Sequence, residues 1–235
     1  MKTPAKNAPS RPNQSPPDPA KKARRVIWIL LAIIVAAGII WYAVFTAAKP
    51  APVEPQAAPV AEVVREDSHR VTAPATEKAQ LVEFLDFECE ACRAAEPMVG
   101  ELKKEFGDQV TFIHRYFPIP SHRNSGTAAL AVEAAGQQGM YEQMYAKMFE
   151  TQPQWGESQD SQAPLFRTFA QELGLDLAKY DQAVAAEETR ERIRKDFTDG
   201  KALGVSGTPT FFLNGEKLTL NSEEQFRQLL TDAVK

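Results

Sequence analysis

The chain has two cysteines, and they lie three positions apart, directly after an apolar run, in the stretch FLDFECEAC at residues 84–92. The Val, Leu and Phe residues of Gln80–Phe87 predict a buried strand, and Cys89–Phe106 predicts a helix. A strand that passes directly into a helix places Cys89 at the helix N-terminus, where unpaired N–H groups and a partial positive charge stabilise a thiolate. We therefore expect an exposed Cys89 with a pKa below the ~8.5 of a free thiol, and a shielded Cys92 near enough to close a disulfide.

Three other interpretations of the cysteine pair remain open. A structural disulfide would close a very small loop and constrain little of the unfolded chain. A zinc site needs about four ligands, and beyond the cysteines only His69, His114 and His122 could contribute imidazoles. The third alternative is a fold that has lost its redox chemistry. Redox activity is the favoured interpretation, and the sequence predicts no metal and no cofactor.

The remaining elements predict a small mixed sheet with helices. The predicted order after the first strand and helix is a strand at Val110–Phe117, a helical region within about 121–204, a strand at Thr210–Leu213, a hairpin turn at Asn214-Gly215, a strand at Lys217–Leu220, and a last helix to Val234. A crossover from the first strand to the second makes a parallel pair, and the hairpin completes the sheet.

Two segments together resemble one family. Residues Leu81–Cys92 and the stretch GVSGTPTFF at residues 204–212 are similar to the thioredoxin-fold family, and specifically to its DsbA-like branch. The resemblance covers residues 77–235 and implies an α/β thioredoxin-like fold with a helical insertion at about 121–204.

The resemblance also implies roles for three further residues. Pro209 would follow a cis peptide bond and face the cysteine pair, and the backbone of Thr208 would bind the substrate as an added strand. The alternative for Pro209 is an ordinary proline at the start of a strand. Glu83 matches a buried acid that lies below the second cysteine and takes its proton during exchange. The alternative for Glu83 is a solvated strand residue.

The dipeptide between the cysteines, Glu90-Ala91, departs from the Pro-His pair of the strongly oxidising family members. The negative charges of Glu88 and Glu90 should raise the pKa of Cys89, although exposure and salt should screen them. Arg93 acts in the opposite direction. His122 could approach the site from the loop after the second strand, but it is interpreted as a surface histidine.

The segment Val26–Ala48 carries no charge and is longer than the ~20 residues that span a bilayer. A basic cluster at residues 21–25 precedes it, so the N-terminus is expected in the cytoplasm and the rest of the chain outside. The alternative, a cleaved signal peptide, usually has a shorter apolar core of ~7–15 residues. We expect a retained transmembrane helix at residues 26–48.

Composition separates the flanking segments. Residues 1–25 carry seven Lys or Arg against one acid and predict a disordered basic cytoplasmic tail, whereas residues 77–235 carry 26 acidic and 17 basic side chains. This distribution argues against nucleic-acid binding, because the basic cluster ends where the apolar segment begins. Residues 49–76 are rich in Pro, Ala and Val and predict an extended linker.

The sequence therefore predicts a membrane-tethered, extracytoplasmic thiol–disulfide oxidoreductase that oxidises cysteine pairs of exported proteins. Cys89 and Cys92 are its predicted catalytic residues together with Glu83, and a membrane redox partner is expected to restore the disulfide. Two alternatives remain: a membrane-tethered reductase, and a non-catalytic module that binds extended peptides.

Overall fold

The computed structural model describes residues 19–47 and 61–235, which fall into two units. In the first unit, helix α1 spans Pro19–Ala47, and its side chains from Arg24 to Val44 are exposed. It is the one helix among the described residues that is long and apolar enough to cross a membrane, judged by length and composition.

Helix α1 begins earlier than the sequence predicted. Residues 19–25, assigned above to a disordered tail, are helical, because proline suits the first turn of a helix and the Ala, Lys and Arg residues that follow favour helix. The predicted disorder of residues 1–18, the end of the predicted span at Ala48 and the predicted linker at 49–60 lie outside the described residues.

The second unit contains a five-stranded sheet flanked by helices. Its strands are β1 (His69–Arg70), β2 (Ala79–Leu85), β3 (Val110–Tyr116), β4 (Thr210–Leu213) and β5 (Glu216–Lys217), in the spatial order β1-β3-β2-β4-β5. Its helices are α2 (Glu90–Phe106), α3 (Ser125–Gly136), α4 (Tyr141–Trp155), α5 (Ala163–Glu172), α6 (Leu177–Ala185), α7 (Glu187–Ala202) and α8 (Glu223–Ala233). Only β2 and β3 pair in parallel. The α/β thioredoxin-like architecture with a helical insertion, formed by α3–α7 between β3 and β4, is confirmed.

Local sequence explains the main connections. Helix α2 joins the parallel strands β2 and β3, and every residue of the two strands except the half-buried Gln80 is buried, on both faces of the sheet. Asn214 and Gly215 have φ angles of 52° and 87°, as the predicted hairpin turn requires. Helices α2 and α8 share one apolar cluster with the sheet, whereas the insertion helices α3–α5 share another with Cys89 and Cys92.

The linker boundary predicted at residue 76 is wrong. Strand β1 lies inside the predicted linker and pairs antiparallel with β3, with His69 opposite His114. Arg65 also lies there and forms a two-pronged ion pair with Asp199 of α7. A strand of two residues has no alternating pattern to reveal it, so the sequence offered no signal for β1. Strand β5 is likewise shorter than the predicted Lys217–Leu220.

The buried guanidinium of Arg115 binds the segment that precedes β1. Arg115 of β3 is 0 % exposed, with Nε 2.5 Å from Asp196 Oδ1 and Nη2 2.7 Å from Asp199 Oδ2. Its Nη1 donates to the carbonyl oxygens of Glu62 and Val63 at 2.8 and 2.9 Å. Because a buried charge is tolerated only when it is paired and hydrogen-bonded, Arg115 holds residues 62–63 and helix α7 against the sheet.

Candidate active site

The turn between β2 and α2 sets the position of Cys89. Asp86 Oδ1 accepts a hydrogen bond from the Glu88 N–H at 2.9 Å, and the Cys89 N–H donates to the Asp86 carbonyl oxygen at 3.2 Å. Gln152 of α4 donates to the carbonyl oxygens of Phe87 and Cys89 at 2.7 and 3.0 Å. Cys89 is the N-cap residue of α2, with an extended backbone. The junction predicted from the sequence therefore forms, and a helix of the insertion supports it.

Both cysteines are free thiols and both are buried. Cys92 is 1 % exposed, as predicted, but Cys89 is only 8 % exposed, so the prediction of an exposed Cys89 is wrong. The apolar cluster of the insertion helices accounts for this burial, because Cys89 belongs to it. The Cys89 thiol donates to the carbonyl oxygen of Thr208 at 3.3 Å.

The two thiols differ sharply in acidity. The pKa of Cys89 is lowered to about 5, most of all by the hydrogen bond from Cys92, against the opposing effect of burial. Hydrogen bonds from the backbone of Cys92 and Ala91 contribute to this lowering. The pKa of Cys92 is raised, first by burial and then by its hydrogen bond to Cys89. A thiolate is the nucleophile in exchange, so this difference in pKa favours Cys89 over Cys92 as the nucleophile, and the catalytic role of the pair stays a prediction.

The Thr208–Pro209 segment lies against this pair. The peptide bond between these residues is cis, as the resemblance implied. The Thr208 carbonyl oxygen accepts from Cys89, and the Thr208 hydroxyl is buried without a hydrogen-bond partner among the described residues. The substrate-binding role of Thr208 and Pro209 stays a prediction.

Glu83 is buried in the middle of the sheet, with 4 % exposure, opposite His114 of β3 and Phe211 of β4. Burial raises its pKa to about 8, and the charge of Glu96 contributes to the rise. Its own charge in turn raises the pKa of Cys92. The burial rules out the solvated alternative, whereas the catalytic role of Glu83 stays a prediction.

Sequence reasoning misjudged Glu88 and missed its surroundings. Glu88 was expected to be exposed, but it is 3 % exposed, and its carboxylate accepts from the backbone N–H groups of Asn124 and Glu157 at 2.6 and 3.2 Å. His122 was interpreted as a surface histidine. Its Nδ1 lies 2.7 Å from Oδ2 of Asp86, in the turn between β2 and α2 (the cysteine turn, residues 86–89). These contacts join residues that are far apart in sequence, so no local sequence pattern predicts them.

A polar surface cavity of about 380 Å³ lies beside this turn and is lined by Glu88, Glu90, Ser121, His122, Arg123, Glu157 and Gln159. The charges of this wall are mixed, because Arg123 and the imidazole of His122 face three carboxyl groups. Across residues 19–47 and 61–235, no group of three or more His, Cys, Asp or Glu side chains is arranged to hold a metal ion.

Known proteins are similar to the part of the chain that contains this site. A family model described as thioredoxin matches residues 67–232. A thioredoxin-like oxidoreductase from Silicibacter pomeroyi DSS-3 superposes with a TM-score of 0.61 at 26 % identity, over 75 % of this chain and 96 % of that one. The α-DsbA1 of Wolbachia pipientis superposes with a TM-score of 0.63 at 17 % identity, over 73 % of this chain and 92 % of that one, a likeness of fold.

Curated relatives match in part. The Na(+)/H(+) antiporter NhaA 1 of Mycobacterium sp. (strain KMS) is 29 % identical over 205 residues, which are 85 % of this chain and 32 % of the antiporter. The chain thus spans about a third of the length of the curated relatives it matches.

Proposed function

The chain belongs to the thioredoxin family, in the DsbA-like form of its fold, and on this premise we propose that it is an extracytoplasmic thiol–disulfide oxidoreductase that oxidises cysteine pairs of exported proteins. One observation carries the proposal: two adjacent thiols, one with a pKa lowered to about 5 and one with a raised pKa, face the Thr208 carbonyl oxygen at a cis peptide bond. This division of acidity assigns different roles to the two sulfurs.

The reaction starts from the Cys89–Cys92 disulfide. A client thiolate attacks the Cys89 sulfur, the bond between Cys89 and Cys92 breaks, and Cys92 leaves and takes up a proton. A second client thiolate then attacks the client sulfur of the mixed disulfide, and Cys89 leaves as a thiolate that its hydrogen bonds stabilise. The client gains a disulfide, and two electrons remain on the cysteine pair. A membrane redox partner, quinone-linked by the family resemblance, removes them.

The direction of electron flow follows from the same stabilisation. A stabilised Cys89 thiolate favours the reduced form of the pair, and a pair whose reduced form is stabilised is a good oxidant. Extracytoplasmic compartments also supply clients whose cysteines need oxidation.

We assign Glu83 the role of proton donor and acceptor for Cys92. Glu83 is buried, its pKa is raised to about 8, and its charge raises the pKa of Cys92. Thr208 and Pro209 are proposed to bind the client backbone as an added strand.

Alkylation separates an oxidoreductase from a peptide-binding module. If the full chain is reduced and then alkylated on both cysteines, we expect its oxidation of a reduced two-cysteine peptide to fall to the uncatalysed rate, because both reacting sulfurs are blocked. The matched control is the oxidised chain treated with the same reagent, whose disulfide protects the sulfurs and whose activity should persist. If the oxidised control also leaves the peptide at the uncatalysed rate, and alkylation does not change peptide binding, only the binding module remains.

We further propose that helix α1 holds the protein in the membrane with the second unit outside. The full-length protein should then stay with membranes after carbonate washing, and protease added from outside should reach the Cys89-containing unit. The physical reason is the burial in the bilayer of the uncharged apolar part of α1, which begins at Val26, with Arg24 and Arg25 on the cytoplasmic side. Recovery of a soluble form that begins near Lys49 would show cleavage instead.

A further inference from the structure

Glu83 is the first member of a row of polar side chains that leads away from the cysteines. Its Oε2 lies 3.9 Å from Nε2 of His114 on the neighbouring strand β3, and it is buried without a hydrogen-bond partner among the described residues. Nδ1 of His114 lies 3.1 Å from the hydroxyl oxygen of Tyr141, the first residue of α4. Glu83, His114 and Tyr141 therefore form a chain of three groups that can each carry a proton.

This row ends at the protein surface. Tyr141 and His69 stack with their ring centroids 3.9 Å apart. Both residues line an open cavity of about 600 Å³ beside β1, together with Arg70, Val71, Gly139, Glu142, Gln143 and Ala146. The side chain of His69 is 19 % exposed. Tyr141, which is 9 % exposed, thus forms part of the wall of an open cavity whose lining does not include the cysteines.

The proposed reaction requires a proton at a place that solvent does not reach. Cys92 is 1 % exposed, and it leaves as a thiolate in each reduction. A buried thiolate is unstable, so it must be neutralised inside the protein. Glu83 can supply this proton, but burial also disfavours the carboxylate that remains and raises its pKa to about 8. Glu83 must therefore be reprotonated after each reduction and must lose a proton before each reoxidation.

We propose that this proton moves between Glu83 and the cavity beside β1 through His114 and Tyr141, an inference that rests on the proposed thiol–disulfide exchange. During reduction Glu83 gives its proton to the Cys92 thiolate. The Nε2 proton of His114 then passes to the Glu83 carboxylate while the Tyr141 hydroxyl proton passes to Nδ1, and Tyr141 takes a proton from solvent in the cavity. Reoxidation runs the same steps in reverse, so the imidazole returns to its first tautomer.

The surroundings of His114 favour transfer through neutral forms. Burial lowers the pKa of His114 to about 3, and the charges of Lys103 on α2 and His69 on β1 contribute to this lowering. Exchange of tautomers avoids a buried imidazolium, because one nitrogen gains a proton as the other loses one. The titratable groups that interact electrostatically with Glu83 are Glu96 and Cys92 on α2 and Tyr141 and Tyr145 on α4. The ring of Tyr145 also stacks on His114, with the centroids 4.7 Å apart.

One distance in the row exceeds a hydrogen bond. The 3.9 Å between Glu83 and His114 is about 1 Å longer than a typical N–H···O bond, so transfer requires the carboxyl group to rotate toward the ring. Its Oε2 has no other described partner that would oppose this rotation.

The test follows the protonated carboxyl band of Glu83 by time-resolved infrared spectroscopy after the oxidised full-length chain is mixed with dithiothreitol. Glu83→Gln identifies the band by removing it. The band should vanish as the disulfide opens and recover as Glu83 is reprotonated.

Two variants interrupt the path. Tyr141→Phe removes only the hydroxyl group that relays the proton, and His114→Gln removes the imidazole. We expect both to slow the recovery by about tenfold or more, less than the full ~10²–10⁴-fold of general acid–base catalysis because the active-site mouth offers a slower route.

Tyr145→Phe is the matched control, since Tyr145 lies on the same helix and stacks on His114 but its hydroxyl is outside the row. Its band should recover at the parent rate, and the reduction potential of Tyr141→Phe should equal that of the parent, because a path changes rates and not equilibria. Recovery at the parent rate in Tyr141→Phe overturns the proposal, whether or not His114→Gln folds. A parent chain that oxidises no client peptide while Tyr141→Phe still slows the band would overturn the proposed function and leave the path standing.

Discussion

Cys92→Ser is expected to accumulate mixed disulfides with clients, whereas Cys89→Ser is expected to abolish exchange. The difference follows from the acidity of the two thiols. Cys89 has a pKa lowered to about 5 and supplies the attacked or attacking sulfur, so serine at this position removes the reacting atom. Cys92 is buried, and in the parent its sulfur can attack Cys89 in a mixed disulfide, which releases the client as a thiol and re-forms the Cys89–Cys92 disulfide. In Cys92→Ser the Cys89 thiolate forms a mixed disulfide by displacing one sulfur of a client disulfide, and this adduct persists until another thiol resolves it.

The measurement is the amount of client bound to each variant through a reducible bond, compared on gels with and without reductant. The variant Cys89→Ser/Cys92→Ser serves as the control for adducts that do not involve the pair. Equal trapping by both single variants would contradict the assignment of roles. Trapping by Cys89→Ser alone would reverse the roles.

Arg115→Met should lower the free energy of unfolding by about 3 kcal/mol or more, because removing one partner of a buried ion pair leaves uncompensated charge and typically costs ~3–5 kcal/mol. Asp196 and Asp199, 1 % and 4 % exposed, would both lose their contact with the guanidinium. The lower end of this range is expected, since Arg192 lies 3.5 Å from Asp196 and Arg65 still pairs with Asp199. Methionine keeps most of the apolar length over Phe84.

Arg167→Met is the matched control for this stability prediction. Arg167 also forms a two-pronged ion pair, with Nε and Nη2 2.8 and 2.9 Å from the Asp181 carboxylate, but the two side chains are 46 % and 49 % exposed. Exposed pairs contribute little to stability, so this variant should unfold with the parent. The two proteins are compared by urea unfolding of the second unit in the full chain. Equal stability of Arg115→Met and Arg167→Met would contradict a stabilising role for the buried network.

The position of the cysteine pair at a helix start could be predicted because a strand that enters a helix at Cys89 is a local signal. The cis bond before Pro209, and its place beside the pair, came from the resemblance of the Gly-Thr-Pro-Thr segment to the family. The parallel pairing of β2 with β3 and the antiparallel return of β4 then bring the two motifs together.

The features that sequence reasoning missed depend on contacts between distant residues. A charged residue such as Glu88 is normally exposed, and only the backbone N–H groups of Asn124 and Glu157 make its burial stable. The polar contact between Gln152 and the cysteine turn spans more than sixty residues. Strand β1 is too short for a pattern, and its pairing with β3 depends on the fold of the whole sheet.

The reduction potential of the Cys89–Cys92 pair in the full chain tests the central claim most directly. The stabilised Cys89 thiolate favours the reduced form of the pair. Glu90-Ala91, however, stands between the cysteines where the strongest oxidants of the family have Pro-His. We expect a potential between about −270 mV, the value of thioredoxin, and about −120 mV, the value of DsbA. Equilibration with glutathione and quantitative alkylation of the thiols would give this value. A potential in that interval supports an oxidant of exported proteins, whereas a potential at or below that of thioredoxin would contradict the account and assign the protein to the reductases.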